Sequence, residues 1–66
     1  HLQMAKSVPE SEVGSQIFNQ QDEETGVVIA IANNDQCAFG LGVIRENTDT
    51  AKLSIGKERH VISQVS

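Results

Sequence analysis

The sequence predicts an all-β fold, a small closed or partly open β-barrel of about six short antiparallel strands. Three observations carry that expectation. Residues 26–44, GVVIAIANNDQCAFGLGVI, read as two apolar, buried runs joined by the polar turn Asn33-Asn34-Asp35. Turn-forming residues recur at short intervals through the rest of the chain. No segment places apolar residues at the period of a helix.

Taken in order, residues 2–5 form a short opening strand, although His1-Leu2-Gln3-Met4 can also be read in part as a cloning remnant. Residues 6–12 contain Pro9 and read as a loop. Ser7-Val-Pro-Glu10 has the letters of a capping box, yet no helical periodicity follows it. Residues 13–18 form a strand carrying Val13, Ile17 and Phe18, and the acidic stretch 19–25 forms a solvated loop. Residues 26–32 and 37–45 are the central hairpin. In its second strand Cys37, Phe39, Leu41 and Val43 share one face, with Ala38, Gly40, Gly42 and Ile44 on the other. Glycines along one face suit the close approach of another backbone. Residues 46–50 turn, 51–55 form a strand, Gly56-Lys57 make a two-residue hairpin turn, and 59–65 form the last strand.

Sixty-six residues allow one domain, 1–66, with one small core. At 38% hydrophobic, with two Phe and no Trp or Tyr, that core is built from Ile, Val, Leu and Ala. A single Cys excludes an internal disulfide, and no ligand cluster suggests a structural zinc. Ordering each residue costs about 1–2 kcal/mol of backbone entropy, so an unstapled domain of this size is marginal. The expectation is therefore a fragment of a longer protein, packed on an upstream domain of that protein, or a homo-oligomer. The lone thiol fits an intracellular, reducing compartment, cytoplasm or organelle matrix. No apolar run approaches the ~18–20 residues of a membrane span. A net charge of −4 argues against nucleic acid as a partner, because an acidic domain repels phosphate backbones.

Few residues invite chemistry. Cys37 lacks a cationic neighbour or helix N-terminus to activate it and reads as a buried, inert thiol. His60 has no second ligand at metal spacing and reads as a rim or partly buried strand position. Asp22-Glu23-Glu24 lacks the alternating oxygen ligands of a calcium loop and reads as a solvated turn that discourages edge-to-edge strand pairing. Gly40-Leu-Gly42 opens like a dinucleotide fingerprint, but Arg45 stands where its third Gly belongs and no helix follows. The candidate ligand-binding residue is Arg45. It ends the central hairpin, where a guanidinium can grip a carboxylate or phosphate, the alternative being an exposed arginine paired with Glu46 or Glu58. No catalytic or metal-binding residue is identified, and the chain is not expected to be an enzyme on its own.

Gly14-Ser-Gln-Ile-Phe18, Thr25-Gly26-Val-Val28, Phe39-Gly-Leu-Gly-Val-Ile-Arg45 and Leu53-Ser-Ile-Gly56, taken together, resemble the C-terminal β-barrel of the aminomethyltransferase-like folate-binding proteins. That family includes the glycine-cleavage T-protein and relatives in iron–sulfur cluster maintenance and tRNA modification. The resemblance covers most of the chain, with residues 2–4 as the opening strand. It implies an accessory module acting as a lid or docking domain, with Arg45 the position that meets the ligand. Folate would be bound by the parent protein, and no cofactor by this chain alone. The Lys-Gly-Cys-Tyr-type motif of the cluster-maintenance branch is absent, so Cys37 does not inherit its role. Val28-Ile-Ala-Ile31 and Ala38-Phe-Gly-Leu-Gly-Val43 also resemble a PUA domain, an RNA-binding pseudobarrel, whose usual opening and closing segments are missing. A structural or oligomerisation domain without ligand is the third reading.

Overall fold

The computed structural model describes residues 1–46 and 49–66. The chain is all-β, with no α-helix among the described residues. Its strands are β1 (Leu2–Met4), β2 (Gln16–Phe18), β3 (Glu24–Asn33), β4 (Ala38–Ile44), β5 (Ser54–Ile55), β6 (His60–Val61) and β7 (Gln64–Val65), with one 3-10 turn at Glu10–Glu12. All pairings are antiparallel, in the order β6-β5-β2-β3-β4-β1-β7, and the sheet curls into a small, partly open barrel.

Seven strands replace the expected six because the last one breaks. The expected strand 59–65 turns a corner at Ile62-Ser63, and its two halves serve opposite edges of the sheet. β6 pairs with β5 and β7 pairs with β1. At the corner the Ile62 N–H donates to the Leu53 carbonyl (3.0 Å) and the Ser63 N–H to the Gln3 carbonyl (2.8 Å). One segment thus caps both edges, which would otherwise offer unpaired backbone for aggregation.

Two bulges on β3 supply the curl. Ile17 faces Gly26 while Phe18 faces Glu24, leaving Thr25 as an extra residue. Val28 faces Gly42 while Ala30 faces Leu41, leaving Ile29 as a second. An extra residue bends its strand and increases the local twist. Thr25 is buried, and its hydroxyl donates to the Ile17 carbonyl at 3.3 Å.

Other boundaries move for local reasons. Val13, which caps the 3-10 turn, and Gly14, at φ +91°, occupy the first part of the expected strand 13–18. Asn34 shapes the central turn: its side-chain oxygen accepts from the Gln36 and Cys37 N–H groups, each at 2.9 Å. The loop between β5 and β6 is four residues rather than two, with Gly56 at φ +74°, Arg59 at φ +55°, and the Arg59 N–H closing onto the Gly56 carbonyl at 3.1 Å. Lys52, at φ +56°, delays the start of β5 within the expected strand 51–55. The turn expected at 46–50 includes residues 47 and 48, which lie outside the described residues.

The core contains Leu2, Met4, Val8, Ile17, Val28, Ala38, Leu53, Ile55 and Ile62. Full burial of an aliphatic side chain of this size contributes about 1.5–3 kcal/mol. Val8 reaches the core from a loop because the Asn33 side chain holds its backbone twice: Asn33 Oδ1 accepts from the Val8 N–H (2.9 Å) and Asn33 Nδ2 donates to the Val8 carbonyl (2.8 Å).

The central hairpin is buried on one face only, which corrects the expectation of two buried strands. On β4 the small face, Ala38 and Gly40, points inward, while Phe39, Leu41 and Val43 are exposed. A side chain at Gly42 would meet Ile17 Cδ1 at 2.9 Å and Leu2 Cδ1 at 3.2 Å. The inward glycine there makes room mainly for core side chains arriving from β1 and β2. Backbone approaches Gly26 more closely than Gly40 or Gly42, where a β-carbon would lie 3.2 Å from a β3 carbonyl oxygen: a β-carbon at Gly26 would collide with the Val43 carbonyl oxygen.

Candidate functional site

The outward face of β3 and β4 is an apolar surface. Directly opposed residues of an antiparallel pair share a face. Val27 opposes Val43, Ala30 opposes Leu41, and Ala32 opposes Phe39. Ile29 joins them because the bulge turns both it and Ala30 outward. Ile29 is 54% exposed, Val43 58%, Phe39 47%, Leu41 41% and Val27 37%.

The sides of this surface are polar but uncharged. Gln16 on β2 opposes Val27, Gln3 on β1 opposes Phe39, and Gln64 on β7 opposes Gln3. Neither β3 from Val27 to Ala32 nor β4 from Phe39 to Val43 contains a charged residue. Beside Phe39 and Leu41 lies a shallow depression of about 270 Å3, bordered by Ala30, Ala32 and His1. A contiguous apolar surface bounded by polar residues is the usual mark of an interaction site.

Charge gathers at one end of the hairpin. Arg45 Nη2 lies 2.6 Å from Glu24 Oε1, and the Arg45 N–H donates to the Thr25 carbonyl at 2.8 Å. Its ion-pair partner is Glu24, neither Glu46 nor Glu58 as the sequence suggests, because the Ile29 bulge shifts the β3–β4 register by one residue and sets Arg45 opposite Thr25, next to Glu24. The Arg45 side chain is 69% exposed. An exposed pair of this kind contributes about 0.2–1 kcal/mol.

The acidic run 22–24 is largely solvent-exposed, as expected of a solvated turn, and its three carboxylates take separate partners. Glu24 takes Arg45, Glu23 Oε1 accepts from Asn19 Nδ2 (3.1 Å), and Asp22 Oδ1 accepts from Arg59 Nε (2.7 Å). Arg59 is the residue that sequence reasoning missed. Its guanidinium carbon stands 3.7 Å from the centroid of the Phe18 ring, and Nη1 donates to the Gly56 carbonyl at 2.7 Å. No local signal announces a contact across 37 residues of sequence.

Arg59 also holds the Asp22 carboxyl below the ordinary aspartate range, first through its hydrogen bond and then through its charge. A carboxylate with a depressed folded-state pKa adds stability above its unfolded value, and that contribution is lost as pH falls through the folded one. Arg59→Gln is therefore expected to move the Asp22 titration midpoint upward, toward that of an ordinary aspartate, as followed by side-chain carboxyl NMR. An unchanged midpoint would show that the pair does not form in solution.

The remaining candidates stay apart. Cys37 is half-buried in the β3–β4 turn, with its N–H and carbonyl both bound to Asn34. His60 is partly buried on β6, with Nε2 3.5 Å from Glu58 Oε2. Gly40 and Gly42 lie in mid-strand, so no phosphate-binding turn surrounds them. Among the described residues no three His, Cys, Asp or Glu side chains gather to hold a metal ion, and no helix is long and apolar enough to cross a membrane. Compared with protein-family profiles, with curated proteins and with solved structures, the chain matches none.

Proposed function

We propose that this chain is an accessory β-barrel module that docks through the outer face of β3 and β4 and carries no chemistry itself. The observation that supports this reading is the concentration of five large apolar side chains, Val27, Ile29, Phe39, Leu41 and Val43, on one face of one hairpin. A domain this small gains most from covering such a surface, since its own core is short of apolar area. The occupant, following the resemblance to the aminomethyltransferase-like folate-binding proteins, is the domain upstream in the same protein. In this reading Arg45, paired with Glu24 at the end of the hairpin, meets a ligand carboxylate or phosphate at the edge of that contact. Folate belongs to the parent protein in this reading.

Two measurements test it. The flanking gene should encode an aminomethyltransferase-like body directly upstream, and a reading frame without one removes the family assignment. Independently, Phe39→Lys combined with Val43→Lys should abolish binding of a hydrophobic dye by the isolated chain while changing its stability by no more than about 0.5 kcal/mol, as for other surface substitutions. Dimerisation of the isolated chain at micromolar concentration, abolished by the same pair of substitutions, would replace the upstream domain with a second copy as the occupant.

A further inference from the structure

A second concavity lies away from the outer hairpin face, between the loop that follows β1 and strand β6. It encloses about 370 Å3, within the range of small-ligand pockets, roughly 300–1,000 Å3. Ala5 and Val61, both exposed, contribute its accessible apolar lining above the buried Met4 and Val8. Lys6, Ser7, Glu58 and His60 supply its polar groups. The wall is formed in advance, because the Asn33 amide fixes both backbone groups of Val8.

The charges in the cleft are unevenly committed. Arg59 also borders it, but its guanidinium is bound to Asp22, to the Gly56 carbonyl and to the face of Phe18. Among the described residues Lys6 makes no ion pair. A carboxylate already stands near the imidazole: Glu58 Oε2 lies 3.5 Å from His60 Nε2, on a side chain that is 81% exposed. The site therefore combines an apolar lining, an uncommitted ammonium, and an imidazole whose present carboxylate partner is free to swing into solvent.

We propose that this cleft binds a small monocarboxylate with an aliphatic tail, the tail against Ala5 and Val61 and the carboxylate between Lys6 and His60 in the place Glu58 now takes. The binding does not depend on the docking role of the outer face.

Titration of the full chain with hexanoate, followed by amide chemical shifts, tests the assignment, with 1-hexanol as the uncharged control. Shifts should cluster on residues 5–8 and 58–63, and hexanol should bind about tenfold more weakly, the scale of one charge-assisted contact. Lys6→Gln should weaken hexanoate by a similar factor and leave hexanol unchanged, whereas Glu58→Gln should tighten hexanoate by removing the internal competitor. Both positions are exposed, so the fold should survive either change. Equal affinity for the two probes would overturn the proposal, as would shifts centred on Phe39 and Leu41 or indifference of hexanoate binding to both substitutions.

Discussion

Gly26→Ala is expected to cost about 3 kcal/mol, the upper end of what overpacking causes, and to leave a chain of this size close to unfolding. The reason is the rigidity of what the new methyl meets. Gly26 is buried opposite Ile44, and a β-carbon there collides with the Val43 carbonyl oxygen and lies 3.0 Å from the Ile44 α-carbon. Those atoms belong to the neighbouring backbone, so relief requires opening the β3–β4 ladder rather than rotating a side chain. Gly14→Ala is the matching control. Gly14 has φ +91°, but nothing lies within 4 Å of the added carbon, so the cost is confined to backbone conformation, about 1–2 kcal/mol. Urea unfolding of both variants checks the pair, with the midpoint falling further for Gly26→Ala at unchanged slope. If Gly26→Ala is as stable as the parent chain, the register of the central hairpin is wrong.

Ile17→Ala should be comparably damaging, at about 2–5 kcal/mol, because the side chain has no exposed surface and sits on a strand between β3 and β5. Its Cδ1 also lies in the space that a Gly42 side chain would need. That geometry predicts a non-additive cycle. Ile17→Val alone should cost about 0.5–1.5 kcal/mol through the lost methyl, and Gly42→Ala alone about 1–3 kcal/mol through overpacking. Combined, they should cost less than their sum by about 1 kcal/mol, since the added carbon fills the space the methyl leaves. Thermal or urea unfolding of the four chains measures the coupling. Strict additivity would mean that Gly42 and Ile17 do not face one another across the core.

Much of the fold is legible locally. Asn33-Asn34-Asp35 marks the central turn because an Asn side chain can satisfy backbone N–H groups two and three residues ahead, as Asn34 does for Gln36 and Cys37. Gly56 marks another, its φ of +74° being one that side-chain-bearing residues seldom adopt. The corner at Ile62-Ser63 is not legible, because nothing in Arg59-His-Val-Ile-Ser-Gln-Val65 breaks a strand pattern. The corner follows from the need of both sheet edges, Leu53 beside β5 and Gln3 on β1, for a backbone donor.

The site was harder to read. Arg45 can be located at the end of the hairpin from its position after Ile44, but its pairing with Glu24 depends on one extra residue in β3, Ile29, which shifts the β3–β4 register beyond it. Arg59 is unremarked in the sequence and yet joins Phe18, Asp22 and Gly56, three positions that only folding brings together.

By itself the sequence determined that the chain is all-β, where most of its strands and turns fall, and that β4 has one bulky face and one small face. These are local properties: alternation has a period of two, and turn residues act within a few positions. Which face of β4 turns inward was decided by tertiary structure alone. Leu2, Met4 and Ile17 already fill the interior, so the small face of Ala38, Gly40 and Gly42 packs inward and Phe39, Leu41 and Val43 are left outside. The core is close-packed and has a fixed volume, and volume is a property of the whole assembly of strands rather than of any one of them.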